Sequence, residues 1–346
     1  MTQFQPIARA TLADVARHCG CSKATVSRIL KDHDGKEPFS PKTRDQVHAI
    51  AKQLGYQANW QAKALVAGGR SHNIGLIYQE ELPFMSNLML YEAMLKTLMQ
   101  EIQPYNYHLI FMPVRQGASP ESLLDGRLDG CVVLGSCGIV LTEALSQTRG
   151  AVVLVNVVSE LPHPTILPDD ELGTTLAMKH LFEQGHRRIA YAHGTRKPYH
   201  ASVQIREDTY CSFMKKRRAA KHINVWQTMS ANELVDQYKQ MTKPPTALLV
   251  YNSDSAVELL QAFWFAGIKV PDDLSIVTFN NTRDAQLAIP PLTTVSIPLA
   301  EMGKQAAKLL LEQLGDIPPS QNTAYTTAKP ELFCRKSVCN LSKKSD

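Results

Sequence analysis

A small all-helical head joined to a two-part α/β core with parallel sheets is the fold class that this 346-residue chain predicts. Three observations predict it. Residues 11–55 carry three short helical patterns, each bounded by cap residues. From residue 73 onward, seven short apolar runs alternate with helical patterns, as buried parallel strands do. Charge is also divided between the two parts. Residues 1–70 hold eleven Lys and Arg against five Asp and Glu, a balance of +6, while the other 276 residues hold 26 against 27.

In the head, Thr11 is an N-cap and Asp14, three residues on, completes a capping box. Leu12, Val15, Ala16 and Cys19 follow at helical spacing, and Gly20 supplies the turn because it takes positive φ without a Cβ penalty. Ser22 caps a second helix, "KATVSRIL", whose apolar residues are Val26, Ile29 and Leu30. A third begins at Ser40-Pro41, with proline at the first helical position, where its missing N–H costs nothing. Val47, Ile50, Ala51 and Leu54 form its apolar stripe, and Gly55 ends it.

Two helices separated by a three-residue turn, with a third packed across them, make a helix-turn-helix unit. Burying Val26, Ile29 and Leu30 turns Lys23, Ala24, Ser27 and Arg28 outward, on a helix narrow enough for the DNA major groove. Arg28 can fork onto guanine and Ala24 can touch a thymine methyl. The hydroxyls of Ser22, Thr25 and Ser27 suit phosphates. A basic head on a near-neutral body fits a polyanion partner for the head alone.

The stretches "TLADVARHCGCSKATVSRIL" and "SPKTRDQVHAIAKQLGYQANWQAKAL" resemble the headpiece of the lactose-repressor (LacI/GalR) family of bacterial transcription regulators. The resemblance runs through residues 11–66. It implies base contacts from Lys23, Ala24 and Arg28, and phosphate contacts from Ser22, Thr25, Ser27, Ser40, Thr43, Tyr56 and Asn59. It also implies a hinge helix from Asn59 to about Val66, with Leu65 wedged into the minor groove of double-stranded operator DNA. Two departures stand out. The loop "KDHDGKEPFS" is longer than the family's usual one, and Lys63 occupies a hinge position that is frequently arginine.

In the body the strand candidates are "IGLIY" (74–78), "HLIFM" (108–112), "CVVLG" (131–135) and "AVVLVNV" (151–157). They continue with "RIAYAHG" (188–194), "TALLVY" (246–251) and "LSIVTF" (274–279). Two such blocks, before and after about residue 168, predict two doubly wound subdomains with a ligand cleft at the carboxyl ends of their strands. "DGCVVLG", "HLFEQGHRRIAYAHG" and "IPPLTTVSIP" extend the resemblance to the family's effector-binding core, itself similar to periplasmic sugar-binding proteins. The expected domains are a headpiece (1–58), a hinge and linker (59–71) and a core (72–340). The core's first subdomain covers about 72–167 and 298–320, and its second about 168–296 and 321–340. The resemblance implies chain crossings near 161–168, 291–297 and 320–323.

The resemblance also carries over effector contacts at Phe84, Asn156, His200, Ser202, Arg206, Asn252 and Asn280. Asn280 stands where most members of the family have aspartate, and it replaces a carboxylate with an amide that also donates. With Arg206 and His200 close by, the cleft is expected to lean positive. Both an acidic effector, such as a sugar acid or sugar phosphate, and a neutral sugar stay open at this point.

Other classes find less support. The chain has no Gly-rich phosphate loop, G-x-S-x-G elbow or H-E-x-x-H pair, so no catalytic residue is assigned and no enzyme is expected. Seven cysteines at these spacings form neither a disulfide framework nor a zinc site, and neither metal nor cofactor is expected. A solute-binding protein built on the same core would need a secretory signal, and "MTQFQPIARATLADVA" does not read as one. No apolar run approaches the ~20 residues of a membrane span. The expectation is therefore a cytoplasmic regulator that works as a homodimer on a pseudo-palindromic site.

Overall fold

The computed structural model of the protein describes residues 10–31, 38–56, 70–79, 90–115, 119, 126–194, 200–227, 230–320 and 325–343. The chain divides into two compact units, Met1–Ser71 and His72–Asp346.

The first unit holds α1 (Leu12–Cys19), α2 (Lys23–Lys31) and α3 (Pro41–Gln53). Each boundary has a local cause. The Thr11 hydroxyl accepts from the Asp14 amide at 3.3 Å, and the Asp14 carboxylate accepts from the Thr11 amide at 2.9 Å, closing the capping box. The hydrogen bonds from the Thr11 hydroxyl and amide hold the Asp14 carboxyl below its ordinary pKa. Gly20 ends α1 at φ 68°, a left-handed position that suits glycine. Ser22 accepts from the Thr25 amide at 3.0 Å, and Ser40 from the Thr43 amide at 3.1 Å. Val15, Ala16, Cys19, Val26, Ile29, Val47 and Ala51 then form one small core, with Leu12, Leu30, Ile50 and Leu54 packed at its margin.

The second unit contains two six-stranded sheets. The first comprises β1 (Asn73–Gln79), β2 (His108–Val114), β3 (Gly130–Leu134), β4 (Ala151–Val155), β5 (Thr165–Pro168) and β11 (Tyr325–Ala328). Its spatial order is β11-β5-β4-β3-β1-β2, and every pairing is parallel. Alternate residues face opposite layers. Ile74, Leu76, Val132 and Val153 pack against α4 (Glu92–Ile102) and α11 (Leu299–Leu314), while Ile77, Val133, Val152 and Leu154 face α5 (Ile139–Gln147). Helices α4 and α11 approach closely at Gly303, where an added Cβ would lie 2.4 Å from the Met94 carbonyl oxygen.

The second sheet takes β6 (Ile189–Ala192), β7 (Val225–Trp226), β8 (Ala247–Val250), β9 (Ser275–Phe279), β10 (Thr293–Ser296) and β12 (Glu331–Phe333). Its order is β12-β10-β9-β8-β6-β7, with only the β10–β12 pair antiparallel. One face packs on α6 (Asp170–Glu183) and α7 (Ser202–Lys216), the other on α8 (Ala231–Gln240) and α9 (Ser253–Phe265). A short α10 (Arg283–Leu287) follows β9. All seven apolar runs read from the sequence are strands. Those the sequence did not reveal (β5, β7, β10, β11 and β12) are short, and several are threonine-rich.

One expected crossing is corrected. The chain passes between sheets after Pro168, between Ser296 and Leu299, and between Ala328 and Glu331. The third passage therefore lies beyond β11 and not at 320–323. Tyr325–Ala328 pairs with Thr165–Pro168 along its whole length and extends the first sheet, so this stretch belongs to the first subdomain. "YTTA" has too little apolar alternation to declare its partner. All seven cysteines are free thiols. Among the described residues, no helix is long and apolar enough to cross a membrane.

Candidate functional site

In the head, burial decides which side of α2 is presented. Val26 and Ile29 are fully buried, and Lys23, Ala24 and Arg28 are exposed, with Ser27 and Thr25 half-buried beside them. The Arg28 guanidinium lies 5.3 Å from the centre of the Phe39 ring, which steadies it without covering it. Ser22 and Ser40 are exposed at the starts of α2 and α3, Thr43 is half-buried, and each serine hydroxyl shares a hydrogen bond with the threonine three residues on. Tyr56 is half-buried just after α3. Asn59 and Leu65 lie outside the described residues, as does most of the long loop after α2. One presented edge thus gathers two cations, a methyl group and several hydroxyls.

In the second unit a cavity of about 270 Å³ opens at the carboxyl ends of β4, β5 and β11. Asn156, Val158, Leu167, Pro168 and Thr327 line it from the first subdomain. The start of α6 (Asp169, Asp170, Glu171) and the start of α7 (His200, Ser202, Ile205) line it from the second. This is where parallel α/β sheets place ligands, because helix starts and strand ends converge there.

One lining carboxylate, Asp170, belongs to a buried ion pair. Arg206 Nε donates to Asp170 Oδ1 at 2.7 Å and Nη1 donates to the Tyr251 carbonyl at 2.7 Å. The guanidinium is sandwiched by Phe279, 3.9 Å from its ring centre, and Tyr251, at 4.9 Å. Burial works against its charge, but Asp170, Tyr251 and Tyr191 outweigh that and raise its pKa above the ordinary value.

A hydrogen-bonded chain crosses the cleft between subdomains. A carbonyl can only accept, so His200 Nε2 carries the proton and donates to the Asn156 carbonyl at 2.7 Å. Its Nδ1 then accepts from the Ser202 amide at 3.1 Å and from the Ser202 hydroxyl at 2.7 Å. That hydroxyl also meets the Tyr251 hydroxyl at 2.9 Å. On the other side, Asn156 Nδ2 donates to the Tyr91 hydroxyl at 2.7 Å. Burial lowers the His200 pKa, keeping the ring neutral, and raises that of Tyr91 to about 12.

Of the residues expected at the effector site, Asn156, His200 and Ser202 meet in this cavity, and Arg206 stands one layer behind it. Asn252 caps α9 by accepting from the Ser255 amide at 2.9 Å, and Asn280 sits at φ 83° beyond β9. Neither lines the cavity, and Phe84 lies outside the described residues. Among the described residues the lining carries three carboxylates and no lysine or arginine, and one of the three, Asp170, is paired with Arg206. Sequence reasoning missed Asp170, Tyr251 and Tyr91. In "LPDDEL" the acids directly after a buried run were a usable signal. His186 is fully buried between the Thr246 hydroxyl and the Cys339 carbonyl, a structural role.

Residues 11–59 match the model of the bacterial regulatory proteins of the lacI family, and residues 178–338 match a periplasmic binding protein-like domain. The chain is 28% identical to Catabolite control protein A of Staphylococcus xylosus, over 88% of this chain and 93% of that protein. It is also 28% identical to the HTH-type transcriptional repressor PurR of Photobacterium profundum, over 96% of this chain and all of that one. Among solved structures, the lac repressor dimer bound to operator and the anti-inducer ONPF superposes with a TM-score of 0.76. That likeness covers 96% of this chain and all of the other at 23% identity, and it establishes the shared fold.

Proposed function

The chain belongs to the lactose-repressor family of bacterial transcription regulators, and on that premise we propose how its two parts divide the work. It is a regulator and not an enzyme. The head binds double-stranded operator DNA: Lys23, Ala24 and Arg28 reach base edges, while Ser22, Thr25, Ser27, Ser40, Thr43 and Tyr56 hold phosphates. Asn59 and Leu65 belong to the same reading as a phosphate contact and a minor-groove wedge. One head reads half a site, so the working form is a homodimer on a pseudo-palindromic operator. The core takes a small effector whose binding changes the affinity for DNA. The place of action is the cytoplasm, where the DNA is.

The observation that carries this reading is the exposed edge of α2. Its Ser22 cap and its buried Val26 and Ile29 leave Lys23, Ala24 and Arg28 no inward role. Gel-shift titration of the full chain on its own promoter region, against random DNA at matched salt, tests it. A site bound on the order of 10³-fold more tightly than random sequence is expected. Equal affinity for both would refute sequence-specific reading.

A further inference from the structure

We infer that the end of the second subdomain where α6 and α7 finish is a docking surface for the phosphate backbone of a second DNA duplex, one that the heads do not hold. The inference goes beyond operator reading by the head and needs no ligand in the cavity.

The balance of 26 Lys and Arg against 27 Asp and Glu outside the head conceals a local excess. Residues 209–232 contain five Lys and Arg and no Asp or Glu. All five (Lys215, Lys216, Arg217, Arg218 and Lys221) are exposed, and none forms an ion pair among the described residues. Lys215 and Lys216 lie in the last turn of α7 and oppose the negative end of its dipole. Arg217, Arg218 and Lys221 lie past its last residue.

The backbone holds this run in place. The Arg218 amide donates to the Lys215 carbonyl at 3.1 Å, and the Ala219 amide to the Met214 carbonyl at 2.9 Å, with Met214 and Ala219 buried in the core. Farther on, the Asn224 amide donates to the Tyr210 hydroxyl at 3.0 Å. Arg218 sits at φ 57°, a left-handed position that favours glycine, so a charged side chain is kept where the backbone prefers none. The end of α6 adds a sixth cation. Phe182 and Phe213 meet edge-on with ring centres 5.2 Å apart. The Arg187 guanidinium lies 4.7 Å from the first ring and that of Arg217 5.3 Å from the second, so two exposed arginines flank one aromatic pair. Glu183, the carboxylate in the last turn of α6, lies close to His180 and Cys334.

Composition selects the occupant. Interfaces between proteins are built around buried apolar anchors. Among the described residues, no exposed large apolar side chain falls within residues 179–188 or 209–227. Cations without an apolar centre match a phosphate backbone, where affinity comes from charge and counterion release. Arginine also forks onto phosphate oxygens. DNA is the polyanion at which the head holds this chain.

Polarisation of a labelled random duplex tests this, titrated with the full chain after its heads are saturated with one equivalent of short unlabelled operator. The operator-loaded protein should bind the random duplex with a dissociation constant on the order of 10⁻⁴–10⁻⁶ M and a steep salt dependence. Combining Lys216→Gln, Arg217→Gln, Arg218→Gly and Lys221→Gln should weaken that binding by about tenfold or more and flatten the salt slope by about 0.9 per lost phosphate contact. Operator affinity and melting temperature should stay as in the parent. Arg218→Gly alone relieves the backbone, so it should keep or raise stability while weakening the second duplex about threefold. The charge-conserving combination Lys216→Arg, Arg217→Lys, Arg218→Lys and Lys221→Arg should retain binding. No binding by the operator-loaded parent, or equal binding by the neutralised variant, overturns the inference. So does a polyglutamate peptide of matched charge that binds more tightly than the duplex through the same side chains, which makes an acidic protein the occupant.

Discussion

Replacing Asp170 with asparagine keeps its shape, removes its charge and strands the Arg206 guanidinium. The side chains of Arg206 and Asp170 are 3% and 7% exposed, so water cannot take over the lost interaction. Breaking a buried pair from one side costs roughly 3–5 kcal/mol. The lower end applies here, because Arg206 keeps the Tyr251 carbonyl and its two aromatic neighbours. About 3 kcal/mol should lower the melting temperature of the core by roughly 6–12 °C. Arg206→Met should destabilise by a similar amount, since it leaves a buried carboxylate. In the double variant both charges are gone, and the loss should fall short of the sum of the singles by about 2 kcal/mol. Urea unfolding followed by tryptophan fluorescence gives the values, with the fully buried Trp226 reporting on the same subdomain. Single variants within about 0.5 kcal/mol of the parent, or losses that simply add, would show that the pair compensates for nothing.

The remaining predictions concern separate parts of the molecule. Arg28→Ala should cost about 1–3 kcal/mol on the cognate operator and relax discrimination at one base pair; an equal loss on random DNA would reduce Arg28 to a phosphate contact. Gly303→Ala drives a methyl group against the Met94 carbonyl and should destabilise the core by roughly 1–3 kcal/mol, with an unchanged calorimetric midpoint as the refuting result. Burial lowers the folded pKa values of His180 and His200, so the unfolded chain takes up protons first as pH falls through 6.5 and stability declines there. Tyr91 acts at the other end: its folded pKa of about 12 means that stability is lost as pH rises past the unfolded value of 10.0. Urea midpoints that stay flat between about pH 7 and pH 5 would contradict the histidine assignment.

Much of the head was legible because its determinants are local. Thr11 with Asp14, Gly20, Ser22, Ser40-Pro41 and Gly55 act within four residues of themselves, and the positions of Val26 and Ile29 leave one outward face for α2. The seven apolar strands were legible for a similar reason, since burial on both faces writes itself as an unbroken apolar run. The effector residues were readable only through resemblance to a family, which names positions but not their electrostatic surroundings.

The sequence by itself determined where the helices of the head begin and end, which residues form the inner strands, and that the basic charge sits in the head. Only the tertiary structure decided that β11 joins the first sheet, because a short threonine-rich strand takes its meaning from the edge it meets. Only the tertiary structure could show that Arg206 is paired with Asp170 beside the cavity. Asp170 and Arg206 are 36 residues apart, and Asn156 and His200 are 44. Nothing in either neighbourhood says that the two residues will meet. Charge in a buried site is a property of what lies within a few ångströms, and the fold alone brings those groups together.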